Sequence, residues 1–510
     1  MQCRLAFFPS ASPDLIAATP NFDLPGPKTN SSTLPIRRLV PLLSSPPILL
    51  PPEHSICSPF ACLSLVISCV SHAATAALPP DPSSRPHFSS LPRHQMPAAM
   101  SSHQSKSAAA AQAQALQDQT RKEHKFDEME SALPDPRLPA LQSAFSIPSV
   151  DNFSSYLGSR NPFGRPVSGD DVVWLFDNTA FKPGRLSSWQ AEFVAAVFEK
   201  EPKVKVVDMV TSIAETLGLA DDAEELATIE ERLLPFLWDV RPARHLRIVH
   251  QDREIKLGPT GRNGISTDIL KLSEQPTGTS VKASAAVPRG ISGELEMQTH
   301  FAAAEGWAVL SDVDDTIKVT QTSSPLGILR KTFVDPPSAV PGMPELYRHI
   351  TSLISKEAPW FYLSASPYNL YPFLRNFCRQ WYPHGTLILR DSSWRTIAGL
   401  LSALTQGTEQ YKTDRIRKVH SWLPKRKLIL IGDSTQSDPE AYGDIYREFD
   451  GWVKLILIRK VTDIAAVGIE SKNEPKRFEE AFKDVPREAW HIFEDPAECN
   501  KIVEKVVAGA

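Results

Sequence analysis

From Trp307 onward, short continuous apolar runs recur along the chain: WAVLSD, WFYLSA, TLILR, KLILIGD and VKLILIRK. Runs of this length without polar alternation suit parallel strands buried on both faces. Between them, PELYRHITSLISK, LYPFLRNFCRQWY, KTDRIRKVHSWL and PEAYGDIYREF carry apolar residues at helical spacing. This alternation predicts an α/β fold with a doubly wound parallel sheet over 304–495, followed by a C-terminal helix or tail at 496–510.

The pattern before it is different. DDVVWLFDNTAF is a dense apolar run, whereas WQAEFVAAVFEK and ATIEERLLPFLWDV have helical spacing. HLRIVHQDREIKLGPTGRNGISTDILKL reads as strand, turn, strand, with Gly258-Pro259 and Asn263-Gly264 as turn chemistry. GTSVKASAAVP and SGELEMQTHFA predict two more strands. Residues 166–303 are therefore expected to be a helical segment plus a small β-rich domain. The G-x4-G-K-[ST] spacing of a phosphate loop is absent from GPTGRNGIS, so those glycines read as hairpin turns.

Residues 1–165 are rich in Pro, Ser and Ala and are expected to be disordered, with a helix at 103–131 where Ala, Gln and charged residues dominate. PFACLSLVISCVSHA, the most apolar piece, falls short of the roughly 20 residues of a membrane span, and it is not placed as a signal peptide would be. No transmembrane segment is expected. Ordinary low complexity accounts for this region, and so does a start of translation at Met96 or Met100 rather than Met1.

Composition narrows the function classes. Lys and Arg number 55 against 59 Asp and Glu, a formal net charge of −4, so no basic field points to nucleic acid. Four of the six cysteines (Cys3, Cys57, Cys62 and Cys69) lie in the proline-rich region, and only Cys378 and Cys499 lie beyond it. Neither a zinc pattern nor a disulfide framework results, and a reducing, cytoplasmic compartment fits.

The chemistry lies where the apolar runs end. AVLSDVDDTIKVT closes on Asp312, Asp314 and Asp315; WFYLS closes on Ser364; Lys412 opens a helical stretch; KLILI is followed by GDSTQSD, with Asp433 and Asp438. Open α/β sheets bind ligands at the carboxyl ends of their strands. A phosphate monoester is an anion that a carboxylate attacks only when a cation offsets the charge. A hard divalent ion, Mg2+, suits carboxylate oxygens. Asp312 is the candidate nucleophile and Asp314 the candidate acid and base. Ser364 and Lys412 would bind phosphoryl oxygens, and Asp433, helped by Asp438, would hold the metal. Lys418 is the alternative to Lys412, and Ser366 the alternative to Ser364. Asp315 is unplaced: it would face solvent or cap the next turn.

D-x-D-x-T, a strand-ending Ser, Lys and G-D-x4-D, in this order, resemble the four motifs of the haloacid dehalogenase superfamily of phosphatases. The resemblance implies the nucleophile role for Asp312, the acid/base role for Asp314, and Mg2+ held by the Asp312 carboxylate, the Asp314 backbone carbonyl and Asp433. The motif threonine, Thr316, joins the phosphate-binding set. SDVDDTIKVT, VPGMPELY, FYLSASPYNLYPFLR, YKTDRI and LILIGDSTQSDPEAYGDI look like the fungal actin-patch-associated phosphatidate phosphatase family. That family implies Mg2+-dependent hydrolysis of phosphatidate to diacylglycerol at a membrane surface, and association with cortical actin patch proteins and endocytosis. A phosphoprotein phosphatase of the same fold and a non-catalytic actin-patch scaffold are the alternatives.

The gaps Thr316–Trp360 and Pro367–Lys412 have no room for a large cap domain, so an open site suited to a substrate on a surface is expected. In PLGILRKTF, Leu326, Ile328, Leu329 and Phe333 sit beside Arg330 and Lys331. Membrane anchoring and packing of a flap onto the core explain this pattern equally well. Tyr368, Tyr371 and Phe373 read as helix core.

Overall fold

In the computed structural model, residues 99–133, 164–184, 187–202, 205–219, 223–391, 397–462 and 469–509 are described, with side chains of the first helix described from 110 onward. The proline-rich N-terminal expectations, including PFACLSLVISCVSHA and the alternative starts, lie outside them. The described residues fall in one unit, His94–Ala510.

Among the described residues, nine strands form between Arg165 and Phe301: β1 (Arg165–Pro166), β2 (Asp171–Leu175), β3 (Asn178–Phe181), β4 (Gln190–Glu199), β5 (Arg244–His250), β6 (Arg253–Leu257), β7 (Ile265–Lys271), β8 (Ser280–Ala285) and β9 (Glu296–Phe301). They make one sheet ordered β1-β5-β8-β9-β3-β4-β2, with β6 also on β5 and β7 on β4. Two expectations fail here. WQAEFVAAVFEK is not a helix but holds β4, paired antiparallel with β2 and β7. Phe193, Ala195 and Val197 enter one core, while Ala196 and Phe198 enter another. A strand buried on both faces loses its polar alternation, and the remaining apolar positions mimic helical spacing. The hairpin segment holds three strands rather than two. Its first turn is Gln251-Asp252, both with positive φ, the backbone of a two-residue hairpin. Helices Val206–Leu217 and Ala223–Leu237 are inserted between β4 and β5.

The second sheet contains β10 (Gly306–Asp312), β11 (Trp360–Pro367), β12 (Thr386–Arg390), β13 (Arg426–Asp433), β14 (Val453–Arg459) and β15 (Trp490–Phe493). All pairings are parallel, in the order β12-β11-β10-β13-β14-β15. The strand β15 escapes the sequence reading because it is four residues long and half-buried, with a histidine in its middle. Along β10, Val309 packs into one core while Ala308 and Leu310 pack into the other, and β13 splits in the same way. Apolar layers therefore cover both faces. The strand order reverses between β10 and β13, which opens a crevice at their carboxyl ends.

The helices between these strands are Pro325–Phe333, Met343–Leu353, Tyr371–Trp381, Ile397–Thr405, Thr408–Trp422, Asp438–Glu448, Ile469–Lys472 and Pro475–Ala481, and Cys499–Gly509 follows the sheet. Of the four apolar candidates in Pro325–Phe333, Ile328, Leu329 and Phe333 are fully buried and Leu326 is exposed. Arg330 and Lys331 pair with Asp335. Three of the four proposed membrane anchors thus serve the core. Tyr368 and Tyr371 are also buried.

Asp177, just after β2, ties the two sheets together. Its carboxylate accepts hydrogen bonds from Arg375 at 2.9 and 3.0 Å, from Arg379 at 2.9 Å and from the Gln298 amide at 2.8 Å. Burial alone would raise its pKa, but His384, Arg375 and Arg379 hold it well below the usual carboxylate range. A depressed carboxylate stabilises the fold above its unfolded pKa and loses that contribution as pH falls through the folded one. Asp177→Asn should cost about 3 kcal/mol in urea unfolding at pH 7. The gap to the parent should narrow below pH ~4; a gap that widened in acid would refute the assignment.

Candidate active site

The chain leaves β10 at Asp312 and turns sharply at Asp315, whose φ is 62°. The Asp315 carboxylate accepts from the amides of Thr320, Gln321 and Thr322 at 2.6–2.9 Å and from the Thr322 hydroxyl at 2.6 Å. Its carbonyl accepts from Arg459 Nη1 at 2.8 Å. Asp315 is buried, so it caps the turn and does not face solvent. The left-handed backbone there is stabilised because Asp side chains bond their own following amides.

That turn aims Asp312 into the crevice. Lys412 Nζ lies 2.7 Å from Asp312 Oδ1 and also contacts Asp438 Oδ1. The Thr316 hydroxyl is 3.1 Å from both Asp312 Oδ2 and Asp433 Oδ2, and its single proton serves only one of them at a time. The Asp433 amide donates to Asp438 Oδ2 at 3.1 Å, and Thr435 holds Asp433 Oδ1 through its amide and hydroxyl. All of these groups are at most 2% exposed. Burial, reinforced by the neighbouring acids and opposed by Lys412, pushes the pKa of Asp312 well up and that of Asp433 up as well. Burial works against the Lys412 ammonium, but Asp312, Asp438 and Asp433 keep its pKa above the ordinary value.

One carboxylate oxygen from each of Asp312, Asp433 and Asp438 lies within 4.8 Å of the others. Ionised, the three carry −3 against the +1 of Lys412. The residual −2 and the all-oxygen donor set fit a hard divalent cation such as Mg2+.

Asp314 points elsewhere. Its Oδ1 accepts from Thr320 Oγ1 at 2.8 Å, and its Oδ2 accepts from Ser364 Oγ at 2.6 Å and from Ser366 Oγ at 3.4 Å. Its carboxylate is therefore outside the three-acid cluster, which leaves only its backbone carbonyl for the metal role that the resemblance implies. Both serines reach Asp314, with Ser364 closer. Lys418 is excluded from the site: it pairs with Glu192 at 2.5 Å and is partly exposed. Lys412 does not open its helix. The helix starts at Thr408, after Gly407 in the left-handed region, and Lys412 lies in its second turn.

Sequence reasoning missed Thr320, Thr435 and Lys318, a buried lysine whose Nζ donates to Thr320 Oγ1 at 3.0 Å. Isolated threonines and one lysine carry no sequence signal. The expected open site is also corrected. The catalytic candidates are buried, and helix Ala99–Glu123 lies against helices Thr408–Trp422, Asp438–Glu448 and Ile469–Lys472. That helix comes from well upstream in the chain, not from an insertion between motifs, so gap lengths could not reveal its packing there.

The sheet thus gathers three acids and a lysine at its crevice, and comparison with known proteins says what this stretch resembles. Residues 307–460 match the family described as "Phosphatidate phosphatase APP1, catalytic domain". The chain is 26% identical over 182 residues to phosphatidate phosphatase APP1 of Saccharomyces cerevisiae, covering 34% of this chain and 30% of that protein. It is 26% identical over 160 residues to an uncharacterized protein of Schizosaccharomyces pombe, covering 31% of this chain and 25% of that one. The chain thus spans less than a third of the length of either relative. Over 307–460 the resemblance to the APP1-like phosphatidate phosphatases is borne out by the family match and by the similarity to the yeast protein. Among the described residues, no helix is long and apolar enough to cross a membrane.

The geometry separates the Asp314 carboxylate from the Asp312, Asp433 and Asp438 cluster. In calorimetric titration with Mg2+, Asp433→Asn should weaken binding about 100-fold, whereas Asp314→Asn should bind within about 3-fold of the parent. Equal losses in the two variants would contradict this separation.

Proposed function

We propose that the chain is a Mg2+-dependent phosphatidate phosphatase with a doubly wound fold of the haloacid dehalogenase kind, hydrolysing phosphatidate to diacylglycerol and phosphate. The observation that carries this reading is the buried set of Asp312, Asp433 and Asp438 around Lys412 at the carboxyl ends of β10 and β13. The lipid substrate rests on the matched family and on the name of the yeast relative. The cortical actin patch link and the cytoplasmic location rest on the motif resemblance and the cysteine distribution.

Asp312 attacks phosphorus in line with the leaving alkoxide. The Asp312 O–P bond forms as the P–O(glycerol) bond breaks, and Asp314 gives its proton to the departing oxygen. Ser364 and Thr320 hold the Asp314 carboxyl in place for this transfer. Lys412 and Thr316 present donors to the phosphoryl oxygens, while the one hydroxyl proton of Ser364 stays on Asp314. Asp314, now a carboxylate, takes a proton from water; the water oxygen attacks phosphorus, and the P–O(Asp312) bond breaks to free phosphate. Held by Asp312, Asp433, Asp438 and the Asp314 carbonyl, Mg2+ would offset the charge of the phosphoryl group.

Purified protein should release phosphate from phosphatidate with Mg2+ and not with EDTA, and should do so faster than from a phosphopeptide. The reverse preference would favour the phosphoprotein reading, and no turnover of either would favour the scaffold. Asp312→Glu and Asp314→Glu should each lose about 10^3-fold or more in kcat; full activity in either would sink the mechanism.

A further inference from the structure

Helix Ala99–Glu123 is held to the catalytic face by a narrow stripe. Its buried described side chains are Ala113, Gln117, Thr120 and Arg121, and three of these four are polar. Gln117 Nε2 donates to Thr408 Oγ1 at 3.3 Å, and Thr408 Oγ1 is 2.7 Å from Ser437 Oγ. Arg121 Nη1 donates to Thr405 Oγ1 at 2.8 Å. A helix whose buried stripe is mostly polar gains little from apolar burial and separates more easily than one seated by leucines.

Beneath this helix is a small cavity. Gln117 and Thr120 form its roof; Thr322, Leu404, Thr405, Thr435, Gln436 and Lys472 line the rest. The cavity adjoins the catalytic cluster, because Thr435 holds Asp433 and Thr322 holds Asp315. Gln436 is 2% exposed, yet neither its amide nitrogen nor its oxygen has a hydrogen-bond partner, and the Gln117 side-chain oxygen has none. Unpaired buried polar atoms cost roughly 1–3 kcal/mol each, so they mark places where a ligand can supply the missing bonds. Lys472 is also buried, and its ammonium donates to Thr435 O at 2.6 Å. Burial and Arg477 lower its pKa to about 8, against the pull of Asp433, Asp315 and Glu440.

We propose that Gln436 and Lys472 form a subsite for the non-reacting acyl-ester oxygens on the glycerol backbone of the substrate, and that helix Ala99–Glu123 is the lid occupying it at rest. The lid must leave for a lipid phosphate to reach Asp312. This inference rests on Asp312 as the nucleophile, and its test has an arm that does not need turnover.

That arm is hydrogen exchange of the full chain in EDTA. Amides at 110–123 should exchange faster with phosphatidate-containing vesicles than with phosphatidylcholine vesicles; equal exchange overturns the lid even if the protein proves to be a phosphatase. With Mg2+, Ala113→Arg, which wedges the lid without touching the catalytic set, should raise phosphatidate hydrolysis about 3-fold or more. An unchanged or lower rate in a folded variant counts against the lid. Lys472→Met should raise KM for phosphatidate about 10-fold more than it raises KM for p-nitrophenyl phosphate, which has no acyl esters. Equal losses on both substrates would remove the subsite.

Discussion

Three carboxylates share one ammonium in a space that water does not reach. Asp312 and Asp438 both contact Lys412, and Asp433 is joined to them through Thr316 and its own amide. Like charges at this spacing, out of water, are tolerated only with a cation among them or with a carboxyl protonated. Lys412 supplies one positive charge, and burial with the neighbouring acids pushes the Asp312 and Asp433 carboxyls toward holding a proton. Most of the surrounding architecture serves to keep these four side chains in register.

The loops after β10 and β13 have no regular structure of their own, so their positions depend on buried cations. Arg459 clamps the Asp315 carbonyl. Arg477 donates to the carbonyls of Ser434 and Lys472 and forms a two-pronged pair with Glu440 on the helix that begins at Asp438. An arginine suits this task because its planar fork satisfies several oxygens at once with little freedom to lose. Asp314 is fixed differently, by hydroxyls alone, so it is held in place without being drawn into the metal cluster.

Closure of the site changes how its substrate should be pictured. The chain lacks a cap domain between the motifs, yet the catalytic carboxylates are covered. A polar-faced helix from upstream packs against the helices that carry Lys412 and Asp438, and Asp177 with Arg375 joins the nine-stranded sheet to the helix after β11.

The parallel sheet and its site were largely legible in the sequence. Uniform apolar runs can only be buried strands or helices, and acids placed directly after such runs must lie at strand ends. Asp312, Asp314, Ser364, Lys412, Asp433 and Asp438 could therefore be chosen from one chain. The sequence also left Lys412 and Lys418 undecided, and misread β4, because a strand buried on both faces and an amphipathic helix present nearly the same letters. Only the tertiary structure placed Lys418 on Glu192, turned the Asp314 carboxylate away from the other acids, bent Asp315 into a cap and packed helix Ala99–Glu123 against the helix that carries Lys412. Each of those outcomes depends on which residues distant in sequence meet in space, and contacts of that range leave no local pattern to read.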